Sequence, residues 1–185
     1  MFSLKEIVKK FRHLIVRIVG IIYARYSNKG NMNFDYKKYW NQRYSKGGNS
    51  GDGSYGVLAE FKAETINNFI EEHDINSVIE FGCGDGNQLK YMNYKKYLGF
   101  DVAKAAIDRC RLIFKDLKDN KTKSFMIYDP KYFINNDFIK ADLVVCLDVL
   151  YHIIPDEEFI KTLQDIFSCS QKYVILYTSI DAYII

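Results

Sequence analysis

Ser77-Val78-Ile79-Glu80-Phe81-Gly82-Cys83-Gly84-Asp85-Gly86 decides the fold of this 185-residue chain. Val78, Ile79 and Phe81 make the short apolar run of a buried strand, and the run breaks into three glycines at alternate positions. Glycine admits left-handed backbone and lets other atoms approach the chain closely. A helix-like segment near residues 87–92 follows. The order strand, Gly-rich turn, helix predicts backbone N–H groups and a helix N-terminus at the carboxyl end of a strand, where open α/β sheets take nucleotides.

Working outward, apolar runs at 97–100, 124–128, 142–147 and 173–177 read as four more strands. The first two end in acids, Asp101 and Asp129, and Pro130 stops the ladder. Helical periodicity covers 55–73, 103–117 and 156–168. The inward faces expected are Leu58, Phe61, Ile66, Phe69 and Ile70; then Ala106, Cys110, Ile113, Phe114 and Leu117; then Phe159, Ile160, Leu163, Ile166 and Phe167. Lys62 falls off the first of these faces. Strand and helix alternate throughout, which predicts an α/β three-layer sandwich: a mostly parallel sheet of five strands with helices on both faces.

Composition bounds the rest. A hydrophobic share of 48% in one domain-sized chain supports a substantial core, and a net charge of +3 is too mild to argue for nucleic acid. Cys83, Cys110, Cys146 and Cys169 are scattered without a Cys-x-x-Cys pair, and there are three histidines. That pattern offers no disulfide framework or metal site and suits a reducing, cytoplasmic setting. Residues 1–30 carry Lys5, Lys9, Lys10, Arg12, Arg17, Arg25 and Lys29 opposite an apolar stripe. They read as a basic amphipathic helix, suited to peripheral contact with an anionic membrane surface or to packing on the domain. Residues 31–56 combine Trp40, Arg43, Tyr44 and other aromatics with a Gly/Ser loop and read as a lid; residues 57–185 form the domain itself.

The glycine turn leaves two ligands open. A dinucleotide fingerprint needs Gly-x-Gly-x-x-Gly, but its third place is Asn87 and glycine returns early at Gly86. Glu80 ahead of the turn suits a ligand with positive charge better than a pyrophosphate. S-adenosylmethionine, with a sulfonium and an amino-acid tail, is such a ligand. On Glu80-Phe81-Gly82-Cys83-Gly84-Asp85-Gly86 and Gly99-Phe100-Asp101 the chain resembles the class I S-adenosylmethionine-dependent methyltransferases, over roughly residues 36–179. The resemblance implies a Rossmann-like fold with the family's usual last two strands missing after residue 177. It implies cofactor contacts from Glu80, Gly82, Cys83 and Gly84, ribose binding by Asp101, adenine contact by Asp129, and a strand-four end, Leu147 to His152, facing cofactor and substrate.

A narrower likeness joins Tyr39-Trp40-x-x-Arg43-Tyr44, the Gly/Ser loop and Leu147-Asp148-Val149-Leu150-Tyr151-His152. These resemble methyltransferases of bacterial surface-glycan synthesis. By that likeness Trp40, Arg43 and Tyr44 cover the methionine end, with Arg43 on its carboxylate and Trp40 or Tyr44 on its sulfonium. The acceptor is then a sugar or glycan precursor, with another small molecule, a protein or a nucleic acid as the alternatives. His152 is the expected base, because its ordinary pKa lies near neutrality, and Asp148 its orienting partner or acceptor-binding group. The absence of an Asn/Asp-Pro-Pro-aromatic signature argues against nucleic-acid bases as acceptors. A short sheet leaves the strand-five edge for a partner and keeps a non-catalytic, cofactor-binding module as the alternative.

Overall fold

A computed structural model describes residues 34–115 and 122–178. The basic segment 1–30 and Leu117 lie outside them. Helix α1 (Tyr36–Ser45) and helix α2 (Gly56–Glu72) precede strand β1 (Ser77–Phe81). Strand β2 (Lys96–Asp101), helix α3 (Lys104–Ile113), strand β3 (Lys123–Ile127), strand β4 (Ala141–Leu147), helix α4 (Asp156–Ser168) and strand β5 (Ser170–Tyr177) follow. All pairings in the sheet are parallel, in the order β3-β2-β1-β4-β5. The chain runs outward from β1 in one direction, then restarts on its other side with β4. That reversal leaves a crevice at the carboxyl ends of β1 and β4, where open α/β sheets bind ligands.

The strand pleat divides the core. Val78 and Glu80 face α2 and α3 with Ile66, Ile70, Tyr97, Ile107 and Leu143. Ile79 and Phe81 face α4 with Phe100, Val144, Phe159 and Ile166. Every residue of β4 is buried, as both-face coverage of a central strand requires. Among the described residues no helix is long and apolar enough to cross a membrane.

The inward faces differ from the periodicity in two helices. In α2 the buried stripe is Ala59, Lys62, Ala63, Ile66 and Ile70, while Leu58 and Phe61 are exposed. In α4 it is Phe159, Thr162, Asp165 and Ile166, with Ile160 and Phe167 outside. Both stripes carry polar groups that find partners inside: Lys62 on Asp148, and Thr162 and Asp165 on the Tyr128 hydroxyl. A buried polar group with a partner costs little, so hydropathy alone misplaced the face. In α3, Ala106, Cys110 and Phe114 are inward as expected, but Ile113 is exposed.

Candidate active site

A cleft of about 670 Å³, open on one side to solvent, lies over the carboxyl ends of the strands. Phe81, Gly82 and Gly84 line it from β1, and Asp101 and Val102 from β2. Leu147, Asp148, Val149 and His152 line it from the β4 end. Tyr36, Trp40 and Tyr44 of α1 cover it, with Ser50 and Ser54 of the loop that follows.

The cover contains a helix where the sequence reading saw only a lid. Asp35 starts it, its carboxylate accepting the Lys38 N–H at 2.9 Å. Tyr36, Trp40 and Tyr44 are four residues apart and so share one face, a spacing that was legible in the sequence. Few residues of α1 are buried, so it lacks a wide apolar stripe. Its ends are moored to different helices. The Tyr36 hydroxyl donates to Glu158 (2.6 Å), and Lys37 donates to Glu158 (3.1 Å) and Asp129 (2.8 Å). At the other end Asn41 accepts the Ala105 N–H, and Arg109 donates to the carbonyls of Tyr44 (2.9 Å) and Gly48 (2.7 Å).

Asp85 fastens the Gly/Ser loop to the glycine turn. Its carboxylate accepts from Ser50 N–H (3.1 Å), Ser50 Oγ (2.8 Å), the Tyr55 hydroxyl (2.7 Å) and the Asn87 N–H (3.1 Å). Burial alone would raise this carboxyl; the hydrogen bonds outweigh it and hold it below its ordinary range. Ser50 was read only as lid sequence, and Tyr55 as lid and as the start of the next helix.

The turn itself is tightly closed. Gly82 has φ +88°, and a Cβ there would stand 2.1 Å from a Val149 methyl. Gly84 has φ +55°, and its Cβ would stand 2.3 Å from Ser50 Oγ. The amides of Gly82 and Cys83 donate to the Phe100 carbonyl at 2.7 and 2.9 Å. The Gly84 N–H donates to Asp101 (2.9 Å), that of Asp85 to Ser50 Oγ (3.0 Å), and that of Gly86 to the Cys83 carbonyl (3.2 Å). The following segment is a single 3₁₀ turn, Gln88–Tyr91. The expected row of free N–H groups at a helix N-terminus is therefore absent from this turn, and with it the means of cradling a pyrophosphate.

Asp101 is buried at the β2 end, accepting N–H groups from Gly84 (2.9 Å) and Ala103 (2.8 Å), one on each oxygen. Burial pushes its carboxyl up to about 6, and those backbone bonds pull against the rise. Each carboxylate oxygen retains lone-pair capacity for another donor.

Of the other expected cofactor residues, Trp40, Tyr44, Gly82, Gly84 and Leu147 also line the cleft; Arg43, Glu80, Cys83 and Asp129 do not. Arg43 spends its guanidinium on Asn49, at 2.6 Å to the carbonyl and 3.1 Å to the side chain, because the Gly/Ser loop folds back on α1. Glu80 points to the opposite face of the sheet, where the Tyr97 hydroxyl donates to it at 2.6 Å. Burial pushes that carboxyl up to about 7, against the Tyr97 bond and Lys62. Cys83 is buried beneath the turn, where the Cys110 thiol donates to the Gly84 carbonyl (3.2 Å). Asp129 is ion-paired with Lys37.

Asp148 and His152 come together at the far end. Asp148 holds φ 58°, a left-handed conformation that Asp tolerates better than most residues. The Lys62 ammonium donates to its Oδ2 at 2.7 Å, and Lys62 is 3% exposed. His152 stands edge-on to Trp40 with ring centroids 5.0 Å apart, and against Tyr151 at 4.1 Å. Burial pushes its imidazole down to about 4; Asp148 opposes this and Arg43 adds to it. The expectation of a near-neutral pKa is corrected: desolvation outweighs the carboxylate, and the ring is neutral at pH 7.

A parallel sheet with its crevice at this reversal, lined by acids at both ends, defines an α/β fold with a cleft for a small ligand. Residues 52–182 match the family described as "Methyltransferase domain", and the chain belongs to that family. Among curated proteins it is similar to peramine synthetase ppzA of Metarhizium majus, 24% identical over 131 residues, covering 66% of this chain and 5% of that protein. The chain thus spans about a twentieth of that relative's length. Among solved structures it resembles the SAM-bound magnesium protoporphyrin IX methyltransferase of Synechocystis PCC 6803, at 20% identity and TM-score 0.57, covering 83% of this chain and 84% of that one. It also resembles SAM-bound CalS10, an amino pentose methyltransferase from Micromonospora echinaspora, at 15% identity and TM-score 0.55, covering 82% of this chain and 59% of that one.

Proposed function

We propose that this chain transfers a methyl group from S-adenosylmethionine to a hydroxyl of a sugar or glycan precursor. The observation that carries the cofactor is the pairing of Asp101 with a turn whose amides are all engaged. A dinucleotide's pyrophosphate finds no N–H donors there, whereas ribose hydroxyls find a buried carboxylate with open lone pairs. Val102 and Tyr128 flank Asp101 as walls for a flat base, and Trp40 and Tyr44, stacked with centroids 5.6 Å apart, offer π-faces to a cation.

The sugar is favoured by the far end of the cleft. Asp148 supplies a hydrogen-bond acceptor and Trp40 an aromatic face, the two kinds of contact a carbohydrate uses. CalS10 acts, by its description, on an amino pentose.

Bound S-adenosylmethionine supplies an activated methyl group on a sulfonium. The protein then has to orient the attacking oxygen and receive its proton. Asp148 accepts a hydrogen bond from a neighbouring hydroxyl of the acceptor and so aims the lone pair of the attacking oxygen, whose own O–H faces His152. His152, neutral at pH 7, takes the proton as the new bond forms. A base with so low a pKa suffices, because the protonated ether it relieves is far more acidic than an imidazolium. The α1 cover and the Asp85 latch exclude water.

Calorimetric titration with S-adenosylhomocysteine and with NAD tests the cofactor: binding of the first and not the second is expected, and the reverse would sink the reading. Formation of S-adenosylhomocysteine with a panel of sugar acceptors tests the acceptor. His152→Gln is expected to keep affinity and lose turnover about 100-fold; retained turnover removes His152 from the chemistry.

A further inference from the structure

Lys62 is an anomaly in α2. It occupies the inward stripe between Ala59 and Ala63, where an apolar side chain is the rule, and is 3% exposed. Taking an ammonium out of water is costly unless its partner is well placed. Its ion pair is to Asp148 Oδ2 at 2.7 Å, with the Tyr177 ring 5.4 Å away. Asp148 Oδ1 accepts no hydrogen bond among the described residues, and the residue lines the cleft. A side chain at Gly53 would place its Cβ 2.7 Å from Oδ2, so the loop also closes on the engaged oxygen.

We propose that Lys62 is a positioning residue: its buried ammonium holds one oxygen of Asp148 so that the other stays turned to the acceptor end of the cleft beside His152. This rests on the reading of Asp148 as the group that faces the acceptor. The ion pair fixes a side chain on a left-handed residue that would otherwise swing, and it divides the carboxylate between a structural and a working oxygen. It also sets how much negative charge His152 feels. The charged groups acting on that imidazole are Asp148 and Arg43, and its ring neighbours are Trp40 and Tyr151. Asp148 in turn acts on Tyr151 and Cys146 and is balanced by Lys62.

The full-length chain is compared with Lys62→Met, Lys62→Gln and Asp148→Asn by NMR titration of the imidazole protons. The chain holds three histidines, so loss of one resonance in His152→Gln assigns it. Asp148→Asn should lower the His152 midpoint, because the attracting charge is gone. Both Lys62 variants should raise it by about one pH unit, tenfold in proton affinity, because Asp148 is no longer balanced. Affinity for S-adenosylhomocysteine should stay within about twofold, since the Asp101 end is untouched. Should thermal melting show Lys62→Met unfolded, Lys62→Gln, which keeps an N–H for Oδ2, carries the test. A folded Lys62 variant with the wild-type midpoint overturns the proposal and leaves Lys62 a purely structural cation. Turnover separates the two readings: full activity of Asp148→Asn on sugar acceptors would sink the acceptor-end assignment while leaving the midpoint shifts intact.

Discussion

Asp101 and Asp148 stand at opposite ends of one cleft, and the chain holds them by different means. Asp101 is gripped by backbone, with the N–H groups of Gly84 and Ala103 on its two oxygens. Asp148 is gripped by a side chain, the Lys62 ammonium, and sits on strained left-handed backbone. Backbone donors are tied to the path of the chain, so the first acid is fixed wherever the turn forms. A lysine tether depends on packing between α2 and the β4 end and can be retuned by one substitution. On the proposed reading, the cofactor end is held by backbone and the acceptor end by a side-chain tether.

Breaking the rigid end should have the larger effect. Asp101→Ala is expected to weaken S-adenosylhomocysteine binding about 100-fold, the loss of two charge-assisted hydrogen bonds at ~1.5 kcal/mol each; calorimetry reads it directly. The same carboxyl should make affinity pH-dependent. With its pKa at about 6, protonation removes the acceptor, so affinity should fall as pH drops through 6, by up to about tenfold per unit below it. That fall should vanish in Asp101→Asn. Cutting the latch comes next. Asp85→Ala removes four accepted hydrogen bonds, should weaken binding about fivefold, and should expose residues 46–54 to limited proteolysis, with gel bands reporting the cut.

The smallest effect on binding lies at the adaptable end, which shows in turnover and stability instead. His152 has a folded pKa of about 4 against an ordinary 6.5, so its contribution to stability is complete above 6.5 and is lost as pH falls toward 4. His152→Gln should flatten that loss, ~3 kcal/mol for the full shift and about 1 kcal/mol after screening of the partly exposed ring by solvent, measured as denaturant midpoints across the window.

The difference between the two ends also explains what could be read from the residues. Strand β1 came out with its observed bounds, and the other strands within a few residues, because each is an apolar run closed by an acid or a turn. Asp101 was legible for the same reason: chain path places it. Lys62 was not, since its burial depends on a partner 86 residues away, and a lysine in a helix reads as solvent-facing. Helix α1 was missed because it packs by three aromatics and its mooring points rather than by an apolar stripe. Arg43 and Asp129 were assigned to ligand by resemblance; the fold pairs them with Asn49 and Lys37. Glu80 was credited with the ligand because it adjoins the turn, but the strand's two-residue alternation turns it to the other face.

One feature of the cover has a practical side. The sequence contains a single tryptophan, and it is Trp40, stacked on Tyr44, edge-on to His152, with the Arg43 guanidinium 5.7 Å from its ring. The indole emission of the whole molecule therefore originates in the wall of the cleft. A ligand in the cleft or protonation of the neighbouring imidazole changes its surroundings, so an unlabelled sample carries its own optical gauge, fast enough for stopped-flow mixing.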